Sequence, residues 1–213
     1  MKFCVIGLGR LGYQVAITLA ENGMEVMAVD SNENIVASIR DNVTQAICMR
    51  VTDEASMRSI GIDEMDTVIV AMGENFAQSI LITAILKKKL QIKRVIARAI
   101  NQIHKEILML VGADETILPE KEIGIRLADR LSMPFVEIVR LSKNFSISQI
   151  VAPQNLIGST IADAQFSKKW QVKCIGVKRE AEIEPIGPEY VISEGDKLLF
   201  SGENEALEKL ARS

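Results

Sequence analysis

A chain of 213 residues is long enough for one large domain or two small ones. Hydrophobic residues make up 48% and aromatic residues only 4%, so any core is built from Ile, Leu, Val, Ala and Met. Net charge is −3; residues 1–133 carry 15 basic and 17 acidic side chains and residues 134–213 carry 10 and 11, which argues against a nucleic-acid footprint on either part.

Taken in order, the chain starts with a strand pattern at 2–6, followed by Gly7-Leu8-Gly9-Arg10-Leu11-Gly12 and a helical pattern over 11–22. In the strand–turn–helix context a GxGxxG sequence points to phosphate binding. The first glycine allows the tight turn, the second lets backbone approach a phosphate, and the third lets helix and strand pack closely. Free N–H groups at the helix N-terminus then face an anion. A glycine turn that only packs a βαβ unit is the alternative. A second strand, 25–30, ends in Asp30, 18 residues after Gly12, near the position expected of an acid that binds ribose. Ser31 or Asn32 caps a helix running to about Arg40. Residues 44–48 form a strand, and Thr52 caps a short helix beyond it. Strands at 67–71, 94–97 and 115–118 alternate with helices at 75–89 and 101–111. This alternation predicts a doubly wound parallel sheet with helices on both faces, an α/β fold of Rossmann type.

A ligand in such a sheet binds at the carboxyl ends of the strands. Candidates there are the glycine turn itself, then Asp30, Ser31 and Asn32, then Arg50, Val51 and Thr52, then Ala71, Met72, Gly73 and Glu74, and finally Arg98, which reads equally well as a surface arginine. Arg10 is more pointed. A guanidinium inside the phosphate turn can pair with a terminal phosphate, although it can also point away from the ligand.

The helix over 75–89 is apolar almost all round, and 101–111 is similar; both therefore predict burial in a subunit interface, with a well-covered core helix as the alternative. His104 reads as structural or surface. Cys4 and Cys48 lie in apolar strand-like runs, where a thiol acts as a small hydrophobe, and three cysteines with no paired spacing suit a reducing compartment. No apolar stretch approaches the roughly 18 residues of a membrane span. Leu118-Pro119-Glu120-Lys121 marks a boundary, with a connector helix over 121–133 ended by Met133-Pro134. The expected domains are 1–119, a connector at 120–133, and 134–213. The last part reads as a small α+β lobe with strands at 135–141, 172–178, about 189–192 and 197–201, a helical stretch near 159–166 and a C-terminal helix over 203–211.

A dehydrogenase needs an acid or base beside its nicotinamide. Neither lobe offers an obvious one, so a ligand-operated switch is the better reading and an NAD(H)-dependent oxidoreductase or redox sensor the alternative. The chain resembles the cytosolic regulatory subunits of Trk/Ktr potassium-uptake systems, stand-alone RCK proteins with TrkA-N and TrkA-C domains. The resemblance rests on Val5-Ile6-Gly7-Leu8-Gly9-Arg10-Leu11-Gly12, Ala28-Val29-Asp30, Val68-Ile69-Val70-Ala71-Met72-Gly73, Gly112-Ala113-Asp114, Pro119-Glu120-Lys121-Glu122-Ile123-Gly124 and Glu194-Gly195-Asp196-Lys197-Leu198-Leu199-Phe200-Ser201-Gly202. It implies a non-enzymatic, cytoplasmic protein bound to the inner face of the membrane through a potassium-translocating subunit. It also implies homodimers assembled into an octameric ring, whose shape responds to ATP or ADP, with NAD(H) as a further ligand. By the same match Arg10 contacts terminal phosphates, Asp30 the ribose, and Glu120 a cation near the nucleotide; relatives bind cyclic di-AMP in the C-terminal lobe.

Overall fold

The computed structural model describes residues 1–73, 75–132, 137–180 and 182–212. Two compact units divide the chain at Met1–Glu122 and Ile123–Ser213.

In the first unit β1 (Lys2–Ile6) leads into α1 (Arg10–Glu21), and β2 (Glu25–Asp30) into α2 (Glu33–Ile39). Next come β3 (Gln45–Cys48), α3 (Glu54–Ser59), β4 (Thr67–Val70), α4 (Phe76–Lys88), β5 (Arg94–Arg98), α5 (Gln102–Leu110) and β6 (Glu115–Ile117). All six strands are parallel, in the order β3-β2-β1-β4-β5-β6. The expected doubly wound sheet is therefore present. Its strands are apolar on both faces because both are covered. Cys4, Ile6, Met27, Val29, Val68 and Val70 pack against Met57, Ile82, Leu86 and Leu108 of α3, α4 and α5. The intervening residues Val5, Val26, Ala28, Ile69 and Ala71 pack on the other side against Ala16, Val36 and Ile39 of α1 and α2. Burial pushes the Cys4 thiol up to about 12, so it is an inert core residue. Cys48 differs from expectation: it ends β3 and is exposed.

Helix ends follow capping chemistry. Asn32 caps α2 by accepting from Asn34 N and Ile35 N. Thr52 does not cap α3. Asp53 does, accepting from Ser56 N at 2.8 Å while the Ser56 hydroxyl accepts from Asp53 N at 3.2 Å, the reciprocal arrangement of a capping box. The Gly112-Ala113-Asp114 stretch is a structural clasp. Asp114 accepts from Val95 N at 2.6 Å and from Lys87 Nζ at 2.9 Å, which ties the amino ends of β5 and β6 to the end of α4. Burial raises the Asp114 pKa, but these donors outweigh it and leave the carboxyl below its ordinary value.

Helix α6 (Pro119–Ser132) starts in the first unit and runs into the second. Proline at its first position suits a site with no intrahelical N–H bond to lose. The expected stop at Met133-Pro134 lies outside the described residues. The second unit continues with β7 (Glu137–Arg140), β8 (Phe145–Val151), α7 (Ile161–Ala164), α8 (Phe166–Lys169), β9 (Lys173–Arg179), β10 (Glu182–Glu184), β11 (Lys197–Glu203) and α9 (Asn204–Ala211). The strands form an antiparallel sheet in the order β10-β9-β11-β8-β7. Leu198 and Phe200 of β11 pack with Val177, Phe166, Leu207 and Leu210. Asp129 of α6 and Arg140 of β7 make a two-pronged ion pair at 2.6 and 2.7 Å, with Asp129 largely buried.

Three expectations for this unit need correction. The strand expected near 189–192 is a single bridge, Thr160 to Val191, because Tyr190 and Ile192 bond with the 158–161 segment instead. The helix near 159–166 breaks into two short helices at Gln165, whose φ is +50°. Strand β8 has no counterpart among the expected elements; its inward positions Ser146 and Ser148 are polar and hide the usual alternation.

Candidate functional site

The strand order reverses between β1 and β4, and a crevice at that point, above the carboxyl ends, is the standard ligand position of an open parallel sheet. Gly7 turns the chain there with φ +91°, and a side chain at this position would run into Met72. Gly12 allows closer contact still: a Cβ on it would lie 1.9 Å from the Gly7 carbonyl oxygen and 3.0 Å from the Ala71 Cβ. Gly9 differs, because a Cβ there would meet nothing within 4 Å. It is the N-cap of α1 and supplies no side-chain cap. The N–H groups of Arg10, Leu11 and Gly12 have no acceptor among the described residues, and no acid occupies the first turn. Three donors without an acceptor among the described residues, the positive end of the helix dipole and open space before Gly9 are the features with which a helix N-terminus can cradle an anion. Arg10 opens the helix, exposed and without a partner among the described residues.

Asp30 organises this cradle from the neighbouring strand. One carboxylate oxygen accepts from Leu8 N at 2.7 Å and the other from Asn32 N at 2.8 Å. Each oxygen keeps a second lone pair, so the acid can brace the turn and still accept from a hydroxyl. Ser31 is exposed beside it, and its carbonyl faces the Cys48 thiol. On the far side of β2, Val51 is buried while Thr52 is exposed. The Val51 carbonyl accepts from Gln78 Nε2 at 2.7 Å, which fastens the loop after β3 to α4. The sequence gives no sign of this role for Gln78, because an isolated glutamine in an apolar helix has no pattern that marks it as a loop anchor.

Ala71 and Met72 pack against the glycine turn, and Gly73 continues the segment toward β5. Glu74 lies outside the described residues. Arg98, at the end of β5, lays its guanidinium on Gly73 and pairs with Glu120 in the first turn of α6 at 2.5 Å. Two residues proposed separately from the sequence are therefore brought together. The Glu120 carboxyl is held below its ordinary value first by its own backbone N–H and then by Arg98, against an opposing effect of burial. Among the described residues no group of three or more His, Cys, Asp or Glu side chains is placed to hold a metal, and Glu120 already pairs with an arginine.

His104 is fully buried and structural. Ile100 N donates to Nδ1 at 3.4 Å, which leaves the proton on Nε2 for Ser79 Oγ at 2.9 Å; Ser79 in turn donates to the Phe76 carbonyl. This chain of bonds fixes the start of α4 to the loop after β5. Burial lowers the His104 pKa. The apolar helices are only partly covered in one chain. Ser79, Ile82, Thr83 and Leu86 of α4 face the core, while Phe76, Leu81, Ile103, Met109 and Leu110 are exposed.

A six-stranded parallel sheet with a glycine turn and an acid after β2, followed by a small antiparallel unit, defines a Rossmann-like domain with an appended lobe. Residues 3–119 match the TrkA-N domain model and residues 146–213 the TrkA-C domain model. The chain is 35% identical over 204 residues to Ktr system potassium uptake protein C of Bacillus subtilis, covering 94% of this chain and 91% of that protein. It is likewise 35% identical over 211 residues to Ktr system potassium uptake protein A of Bacillus subtilis, covering 98% and 94%. The chain belongs to the TrkA-N/TrkA-C family that includes these potassium uptake proteins. Among solved structures, the RCK domain of GsuK superposes with a TM-score of 0.58 at 21% identity over 99% of this chain, and this chain spans 46% of it. The GsuK channel bound to NAD gives 0.55 at 22% identity, covering 99% of this chain and 38% of that one. GsuK bound to ADP gives 0.54 at 23%, covering 62% and 34%. These structures share the fold.

Proposed function

We propose that the chain is a nucleotide-responsive, non-enzymatic regulatory subunit of a membrane potassium-translocating protein. The observation that carries this reading is the anion cradle: three unsatisfied N–H groups at the start of α1, with Arg10 beside them and Asp30 opposite. Membership of a family whose named members are potassium uptake proteins supplies the process. No helix among the described residues is long and apolar enough to cross a membrane; this reading assigns the translocation path to a separate subunit.

The chemistry favours ATP, ADP or NAD(H) over NADP. Asp30 accepts from a ribose hydroxyl but repels a 2′-phosphate. The cradle takes the first phosphates, and Arg10 pairs with charge further along the chain. Ser31, Asn32, Val51 and Thr52 border the nucleoside side, while Ala71, Met72, Gly73 and Arg98 border the phosphate side. GsuK, which shares this fold, has been solved bound to NAD and bound to ADP, and this supports a nucleotide ligand for the present chain. Differential affinity for two arrangements of the assembly then converts occupancy into a signal. The exposed apolar residues of α4 and α5 support pairing of two copies through these helices, as in the homodimer and octameric ring of the resemblance. Glu120 contributes to a cation site only if phosphates or a second copy provide the other ligands. A role for the second unit in binding cyclic di-AMP rests on the resemblance, and titration of that nucleotide onto the whole chain tests it.

The test of the main reading is equilibrium binding of ATP, ADP and NADH to the purified protein and to Arg10→Ala. Loss of a charge-assisted contact weakens ATP by about 10- to 100-fold. ADP is affected less. Tight NADH binding that is indifferent to Arg10→Ala, with turnover of a carbonyl or hydroxy substrate, would instead favour the oxidoreductase.

A further inference from the structure

We propose that Glu120 competes with the ligand for Arg98, so that a nucleoside polyphosphate entering the crevice exchanges the Arg98–Glu120 pair for an Arg98–phosphate pair and releases the first turn of α6. This inference rests on the nucleotide reading above and adds a regulatory contact to the same site.

The placement of Arg98 is unusual for an arginine whose only task is a surface ion pair. Its side chain is 21% exposed, against 66% for that of Glu120. The guanidinium packs against Gly73; a Cβ there would be 2.5 Å from Nη1 and 2.9 Å from Cζ. A backbone without a side chain at position 73 is what admits it. Nη2 reaches Glu120, but Nε is buried with no acceptor among the described residues. The head group is thus only partly satisfied, and it retains donors for an anion with several oxygens.

The position connects two parts of the site. Met72 touches the glycine turn and Gly73, the next residue, touches Arg98. One loop therefore separates the helix N-terminus that cradles a first phosphate from the guanidinium, and a chain of phosphates leaving that cradle over β4 meets Arg98 next. Phosphate offers more charge and more acceptor oxygens than a single carboxylate. Glu120 loses little on release: it is exposed to water and stays near the positive end of α6. An ion pair with one solvent-exposed partner contributes modest net stability, so water can replace Arg98 at Glu120 when a stronger anion takes the guanidinium. Glu120 stands three residues before Ile123, where the second unit begins, so the exchange alters the first turn of the helix that continues into that unit.

The test is the affinity of the full chain for ATP, ADP and adenosine, measured in EDTA because a divalent cation attracted to Glu120 would act in the opposite direction. Glu120→Gln removes the competitor and should tighten ATP and ADP by up to about fivefold, with adenosine unchanged. Arg98→Gln should weaken ATP and ADP, and adding Glu120→Gln to it should produce no further change. If Glu120→Gln leaves polyphosphate affinity unchanged or lowers it, or if the two substitutions act independently, the exchange is wrong even though the nucleotide site stands. Failure of the unmodified protein to bind ATP or ADP at all would remove the nucleotide reading and the exchange with it.

Discussion

Replacing Gly12 and Gly9 separately by alanine divides the work of the glycine turn into packing and ligand approach. A Cβ on Gly12 would sit 1.9 Å from the Gly7 carbonyl oxygen, about 1.5 Å inside an ordinary contact of 3.4 Å. Neither side can give easily, since the obstacle is backbone and Ala71 closes the other direction at 3.0 Å. Forced overpacking costs about 3 kcal/mol at the upper end of its usual range. Alanine recovers about 1 kcal/mol of helix propensity. The net loss of about 2 kcal/mol corresponds to a fall in Tm of roughly 4–8 °C for a chain of this size. Gly9→Ala meets no atom and should cost only about 0.5–1 kcal/mol through poorer capping. Its methyl group, however, occupies the open space before the unsatisfied N–H groups, so ADP affinity should fall by about fivefold, the equivalent of one neutral hydrogen bond. Thermal melts and ADP titration on both variants provide the assay. Unchanged melting of Gly12→Ala would refute the packing argument, and normal ADP binding by Gly9→Ala would refute the cradle.

Two further outcomes concern buried polar groups. Burial lowers the His104 pKa below its ordinary 6.5, so the unfolded chain binds a proton that the folded chain resists. Stability is complete above pH 6.5 and declines as pH falls through the folded value; His104→Gln should flatten this slope in urea titrations between pH 7 and 5, and an unchanged slope would exclude His104 as its source. Carboxyls with lowered pKa, such as Asp114, begin to act only near and below about pH 4. Asp129→Ala should destabilise the chain by about 1–2 kcal/mol, below the range for a fully buried pair because the Arg140 side chain is 37% exposed; Asp129→Asn should recover part of that loss in the same unfolding assay.

The first unit was readable because its strands are continuous apolar runs separated by helical periodicity, and because a glycine turn and Asp30 keep their sequence spacing in space. What spacing alone does not reveal is which distant residues converge. Arg98 and Glu120 stand 22 residues apart and meet only because β5 and β6 pair in parallel. Asp30 appeared as a ribose acceptor, and its bonds to Leu8 and Asn32 emerge only when the two loops are built together. In the second unit, β10 is three residues with glutamates at both ends, too short and too charged to announce a strand. Its pairing with β9 decides the matter.

Strand β8 has a consequence for how the second unit finds its alignment. Ser146 and Ser148 point inward and Phe145 and Val151 outward, so a slip of one residue would turn larger apolar groups toward the core. Burial of apolar surface does not by itself oppose that error. Asn204 does: it accepts from the Ser146 hydroxyl at 2.7 Å, donates through its side chain to the Lys143 carbonyl and through its backbone to the Asn144 carbonyl. One amide at the start of α9 thereby acts as a register pin. The antiparallel sheet is aligned from its last helix, so the strand near the middle of this unit is held in place by residues translated almost 60 positions later.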